Sequence, residues 1–164
     1  MEKLTRYKVA AVQMETGPRV SDNLAEAARH IESAAAKGAK LVALPEFFAL
    51  MGKTPQDALN IREADGDGPI QRFLSEQAGR HSVWLVGGTI PLRSEHPEKL
   101  RAASLLFDDC GRRVARYDKI HLFDVTVNDA KRHYRETRTV TPGTEAVVVD
   151  TPLGRLGLTV CYDV

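Results

Sequence analysis

With 164 residues, of which 43% are hydrophobic and 27% charged, the chain can bury a core and is expected to form one globular domain over residues 1–164. Its 23 Lys and Arg against 22 Asp and Glu leave a net charge of +1, without the basic excess that nucleic-acid binding requires. The apolar runs are too short to cross a membrane, and residues 1–8 lack the hydrophobic segment of a signal peptide. We therefore predict a cytoplasmic protein with no nucleic-acid or membrane partner.

Strand and helix signals alternate along the first half of the chain. An apolar run over 7–13 is typical of a buried strand, and helical spacing of apolar residues over 21–38, with Ser21 or Asp22 as N-cap, predicts a helix. A second buried strand is predicted over 40–44. A helix that begins at Pro69 and a strand over 83–89 follow.

The second half of the chain favours hairpins. Two pairs of apolar segments flank turn sequences, and the region between the pairs, residues 123–142, is polar and is predicted to be irregular. The predicted hairpins are 101–107 with 112–117, and 145–150 with 155–161. This order predicts an α/β fold with helices packed on a mixed sheet, and functional side chains are expected where strands end.

Glu46 is the first candidate, because it follows a buried strand and is bracketed by Pro45, Phe47 and Phe48. Apolar surroundings would raise its pKa toward the range useful for a general base. The alternative is a solvated glutamate in a turn.

Lys119 is the second candidate, at the end of a predicted strand and followed by apolar residues. Its ammonium could point into a pocket and stabilise an oxyanion, whereas an isolated lysine here would more often be exposed.

Cys161 is the third candidate, at the end of an apolar strand where a sharp turn could free backbone N–H groups. The alternative is a structural cysteine in the core.

A base, a cation and a thiol at three strand ends match the needs of amide hydrolysis through a thioester. The chain resembles the nitrilase-type carbon–nitrogen hydrolase superfamily, whose catalytic Glu, Lys and Cys match Glu46, Lys119 and Cys161. From Tyr117 onward it is most similar to the branch that contains deaminated glutathione amidase and ω-amidase. The resemblance makes Glu136 the supporting glutamate.

The resemblance implies an αββα sandwich of two sheets, of which this chain matches only the N-terminal part and ends just after the cysteine. It also implies a small carboxamide as substrate, a homo-oligomer such as a dimer, and neither cofactor nor metal. Glu46 would act as the base, while Lys119 and the backbone N–H of Tyr162 would stabilise the oxyanion. The five histidines show no zinc-ligand spacing, in agreement with a reaction that needs no metal.

Three interpretations remain open from the sequence. The chain is an amidase or a related hydrolase of this superfamily, a truncated non-catalytic module for assembly or regulation, or a Cys–His hydrolase in which Cys161 pairs with His121 or His133.

An arginine would be the natural residue to bind a substrate carboxylate. The sequence does not distinguish among Arg132, Arg135 and Arg138.

Overall fold

The computed structural model describes residues 6–127 and 132–164, apart from the side chains of residues 127, 132 and 133. In this part of the chain, strands and helices alternate before hairpins take over, as the sequence predicts. The strands are β1 Lys8–Ala11, β2 Ala39–Ala43, β3 Trp84–Val86, β4 Ile90–Arg93, β5 Leu100–Phe107, β6 Arg113–Asp118, β7 Asp124–Val127, β8 Arg132–Arg135, β9 Val148–Thr151 and β10 Gly154–Gly157. The helices are α1 Val20–Ala36, α2 Pro55–Asn60 and α3 Pro69–His81, with short 3-10 helices at Glu136–Arg138 and Cys161–Asp163.

Six strands form one mixed sheet. β1, β2 and β3 run parallel, and β5 then pairs antiparallel with β3, β4 and β6. Two antiparallel hairpins, β7 with β8 and β9 with β10, lie outside this sheet. None of the described helices is long and apolar enough to span a membrane.

The long strand β5 shows how the sheet separates two layers. Its residues Ala103 and Leu105 belong to a core shared with α1 and α3, whereas Leu106 belongs to a second core that includes Val149 and Leu156 of the β9–β10 hairpin. Because successive side chains in a strand point to opposite faces, one buried strand supports helices on one side and a second β layer on the other. This arrangement confirms the predicted α/β class.

Helix α1 confirms the predicted helix but corrects its first turn. The helix begins at Val20 with Arg19 as N-cap and no side-chain cap, so neither Ser21 nor Asp22 is the capping residue. Asp22 lies within the first turn, where its carboxylate accepts a 2.6 Å hydrogen bond from Arg19 Nε and is close to the positive end of the helix dipole.

The prediction of an irregular segment over 123–142 is wrong, since β7 and β8 form a hairpin there. Asp124, Thr126 and Arg135 are exposed on these strands, and the Phe123 and Tyr134 rings lie 5.4 Å apart. A hairpin on the protein surface has a polar composition like that of a loop, so composition alone could not separate the two.

The start of α3 depends on a buried carboxylate beside a glycine. Glu63, which is 5% exposed, accepts hydrogen bonds from the backbone N–H groups of Ile70 at 2.5 Å and Gln71 at 3.1 Å. Gly68 has φ of +155°, and a Cβ there would lie 2.2 Å from Cδ of Glu63. A side chain at position 68 would therefore displace the carboxylate that caps the helix.

Gly68→Ala is expected to lower the free energy of unfolding by about 2–4 kcal/mol, from backbone strain and loss of the cap. Thermal unfolding followed by circular dichroism measures the effect, and Gly66→Ala is the matched control. Gly66 has φ of +86° but open space around the Cβ position, so its variant carries the conformational cost without the clash. Equal losses in the two variants would contradict the role given to Glu63.

Candidate active site

The centre of the site is a buried lysine between two carboxylates. Nζ of Lys119 lies 2.8 Å from Oε1 of Glu46 and 3.0 Å from Oε2 of Glu136, and the lysine is only 2% exposed. The sequence alternative of an exposed lysine at a strand end is therefore excluded. A buried ammonium needs such partners, because desolvation of an unpaired charge is costly.

Lys119 is held by its backbone as well as by its side chain. It follows β6 directly, its N–H donates to Ala102 O at 3.0 Å, and its carbonyl accepts from Gly143 N–H at 2.9 Å. Burial by itself would lower the pKa of Lys119, but the hydrogen bonds and charges of Glu46 and Glu136 outweigh burial and raise it. The side chain is therefore a permanent cation at neutral pH and serves as a hydrogen-bond donor, not as a base.

Glu46 lies on a tight turn after β2. The next residue, Phe47, has φ of +57° and donates its N–H to Thr89 Oγ1 at 2.9 Å, while Phe48 is fully buried. Phe47 itself is exposed. The sequence therefore overestimated the apolar surroundings of Glu46, whose carboxylate faces the Lys119 ammonium instead.

Glu136 reaches the site from the 3-10 helix after β8. Besides Lys119, its Oε2 accepts the backbone N–H of Phe123 at 2.7 Å. One carboxylate therefore holds the lysine and the segment that leads into the β7–β8 hairpin. The resemblance implies a supporting role for Glu136, and the structure places its carboxylate against Lys119.

Cys161 lies on a turn in a conformation that few side chains adopt. Its φ is +51°, which places it in the left-handed region, and the residue is exposed, so it is not a core cysteine. The strand β10 ends earlier, at Gly157, and an extended segment leads to the thiol. Partial burial of the thiol and the charge of Glu46 raise the pKa of Cys161, although Lys119 acts in the opposite direction.

The thiol lies close enough to the Glu46 carboxylate and to the Tyr162 backbone N–H for both to act on its pKa: Glu46 raises it and the Tyr162 N–H lowers it. The raised pKa of Cys161 favours its neutral form, so a protonated thiol lies next to the Glu46 carboxylate, which could accept its proton. The structure thus brings Glu46, Lys119, Glu136 and Cys161 into one cluster.

Asp163 was not assigned a role from the sequence, yet it links the segments on either side of this cluster through Tyr117, His121 and Val160. Its Oδ2 accepts from Tyr117 Oη at 2.5 Å and Val160 N–H at 2.9 Å, and its Oδ1 accepts from His121 N–H at 2.9 Å. Burial would raise the pKa of Asp163, but these donors outweigh it and lower the value to about 2. Burial and the hydrogen bond to Asp163 raise the pKa of Tyr117 to about 12.

The other residues singled out in the sequence are less involved. Arg135 and Arg138 are exposed, and the side chain of Arg132 lies outside the described residues. The His121 ring lies 2.9 Å from Asp163 through Nδ1 and is directed at a carboxylate, not at the sulfur. This contact does not favour the Cys–His interpretation, and the side chain of His133 also lies outside the described residues.

A cleft of about 400 Å³ has Phe47, the residue after Glu46, in its wall. Its other lining residues include Met51, Tyr134, Glu136 and Val140. The cleft therefore shares Glu136 with the charged cluster and continues from it as a largely apolar space, large enough for a small organic molecule.

Comparison with known proteins gives a consistent result. Residues 8–164 match the family model for carbon–nitrogen hydrolases. The chain is 43% identical over 156 residues to a deaminated glutathione amidase from Yersinia enterocolitica, covering 94% of this chain and 54% of that protein. It is 37% identical over 162 residues to human omega-amidase NIT2, covering 98% of this chain and 56% of that protein.

A solved structure agrees with the sequence comparison. Saccharomyces cerevisiae Nit3, a member of branch 10 of the nitrilase superfamily, superposes with a TM-score of 0.81 at 31% identity, over 96% of this chain and 56% of that one. The fold described above is thus that of a nitrilase-superfamily member over the matched part. The chain spans about half the length of the curated relatives it matches.

Proposed function

Since this chain belongs to the carbon–nitrogen hydrolase family, we propose that it hydrolyses the carbon–nitrogen bond of a small carboxamide through a thioester on Cys161. The observation that carries the proposal is the position of Glu46, whose carboxylate accepts a hydrogen bond from the buried Lys119 ammonium at 2.8 Å and lies close enough to the Cys161 thiol to raise its pKa. A base, a nucleophile and a cation gathered in one cluster are the parts that covalent amide hydrolysis requires.

The first half of the reaction forms the thioester. Glu46 takes the thiol proton as the sulfur attacks the carboxamide carbon, because the raised pKa of Cys161 leaves little thiolate beforehand. Negative charge then develops on the carboxamide oxygen. Lys119 supplies a charged donor to it, and the backbone N–H of Tyr162 supplies a second.

The second half releases ammonia and restores the thiol. Glu46 returns the proton to the departing nitrogen as the carbon–nitrogen bond breaks. It then takes a proton from water, which attacks the thioester carbon, and the acid product leaves as the sulfur recovers its proton. Glu136 touches Lys119 throughout and keeps the ammonium directed at the reacting oxygen.

The names of the relatives indicate the class of amide. Two of them are a deaminated glutathione amidase and an omega-amidase. We infer that this protein acts on similar small amides that also carry a carboxylate. The cleft beside Glu136 would hold the part of the substrate remote from the amide.

Ammonia release from deaminated glutathione and from 2-oxoglutaramate is the direct test. The intact mass of the native protein is measured first, because the chain spans about half the length of its relatives. We expect ammonia from at least one of these amides, at a rate proportional to protein concentration. No ammonia from either amide with the protein at its native length would contradict the proposed substrate class.

The truncated-module interpretation makes a different prediction for the same samples. A non-catalytic module would show no acylation of Cys161 with any of these amides, whereas the amidase forms a covalent adduct visible in the intact mass. A mass increase that is absent from Cys161→Ala would therefore contradict the module interpretation.

A further inference from the structure

We propose that Asp163 is a positioning residue, which fixes the turn carrying Cys161 against the end of β6 that carries Lys119. This inference rests on the proposed role of Cys161 as the nucleophile. It concerns the placement of the Cys161 turn against the segment that carries Lys119.

One carboxylate connects the two segments. On one side, Asp163 Oδ2 accepts the N–H of Val160, so that the side chain closes the turn around Cys161. On the other side, the same carboxylate accepts hydrogen bonds from the Tyr117 hydroxyl and the His121 backbone N–H. These residues lie two positions before and two positions after Lys119. The Asp163 side chain is 4% exposed, so water competes little for these donors.

The turn that carries Cys161 has a strained backbone. Cys161 has a positive φ, a conformation that costs free energy for a residue with a side chain and persists only where surrounding contacts enforce it. The hydrogen bond from Val160 N–H to the Asp163 carboxylate joins residues on either side of the strained position. The 3-10 helix adds the bond from Asp163 N–H to Val160 O at 3.1 Å.

An amide cannot replace this carboxylate. An asparagine has one acceptor oxygen and one NH₂ donor. If its oxygen faced Val160 N–H, its NH₂ would face His121 N–H, and rotation by 180° would only exchange the two. Asp163→Asn therefore leaves one backbone donor opposed by another donor, at nearly unchanged volume.

The test uses alkylation of the thiol, which does not require amidase activity. Cys110, which is also exposed, is first replaced by serine so that iodoacetamide reports on Cys161 alone. The rate of alkylation is measured against pH, for this parent and for Asp163→Asn. We expect the parent to show a midpoint above the ordinary thiol value, and the variant to shift downward as the thiol leaves Glu46.

Asp108→Asn is the matched control. Asp108 is also a nearly buried carboxylate that accepts backbone N–H groups, from Cys110 at 3.0 Å and Arg112 at 2.9 Å, but it lies in the β5–β6 turn away from the thiol. We expect both variants to unfold at lower temperature and only Asp163→Asn to shift the alkylation profile. Tyr117→Phe keeps the carboxylate and removes one donor, so its shift should be in the same direction and smaller.

Steady-state kinetics supply the second readout. A misplaced nucleophile with an intact substrate cleft should lower kcat, by about 10²-fold, with little change in KM. An unchanged alkylation profile and unchanged kcat in a folded Asp163→Asn protein would overturn the inference and leave a structural role only. Absence of ammonia from every sample, with the profile shift present, would instead refute the proposed substrate class and leave the positioning role intact.

Discussion

Replacing Cys161 with alanine is expected to lower the rate of ammonia release by about 10⁴-fold or more, since the reaction loses its only covalent nucleophile. The fold should be unaffected, because the residue is exposed and the methyl group of alanine fits the same turn. Ammonia measured with saturating amide, together with circular dichroism of the variant, checks both parts.

Cys110 provides the control for this prediction, as a second exposed thiol in the β5–β6 turn. Cys110→Ala should release ammonia at the rate of the unmodified protein. Comparable loss in the two variants would indicate a general effect of thiol removal. Full activity in Cys161→Ala would remove the thioester mechanism altogether.

Replacing Lys119 with methionine is expected to cause the second large loss. The oxyanion loses its charged donor, which lowers kcat by about 10²- to 10³-fold. The variant also leaves the carboxylates of Glu46 and Glu136 facing each other without the ammonium they share, and breaking a buried ion pair costs about 3–5 kcal/mol of stability. Kinetics and urea unfolding of the same preparation measure the two effects.

The double variant Lys119→Met with Glu136→Gln separates these effects. Removing one of the two facing charges should restore part of the lost stability, because the repulsion disappears. Activity should stay at the level of the single variant, since the donor to the oxyanion is still missing. Recovery of activity together with stability would show that Lys119 acts only through folding.

The residues of the candidate site could be singled out from the sequence because each carries a local signal. Glu46, Lys119 and Cys161 all follow or approach strand ends, in motifs that match one family, and the structure places them in one cluster. The helices and hairpins with strong apolar periodicity were predictable for the same reason, as in α3 and in β5 with β6.

What the sequence could not predict depends on contacts between distant segments. Asp163 acts through Tyr117 and His121, which are 46 and 42 positions away in the chain. The local sequence does not show that these residues come into contact with Asp163. A local signal that could have suggested a role for Asp163 is its position two residues after Cys161, because aspartate readily accepts backbone N–H groups in turns. The β7–β8 hairpin was missed because its exposed faces have the composition of a loop.

The position of Lys119 has a consequence for the order in which the protein assembles. Its two carboxylate partners are 73 and 17 positions away in the chain, and one of them stands on the turn after β2 while the other follows β8. The Lys119 ammonium can be buried only when both carboxylates are in place, because the desolvation free energy of an unpaired cation is too large. Docking of the lysine is therefore a late event that needs the central strands already in register, and catalytic competence is a property of the completed fold, not of any local segment.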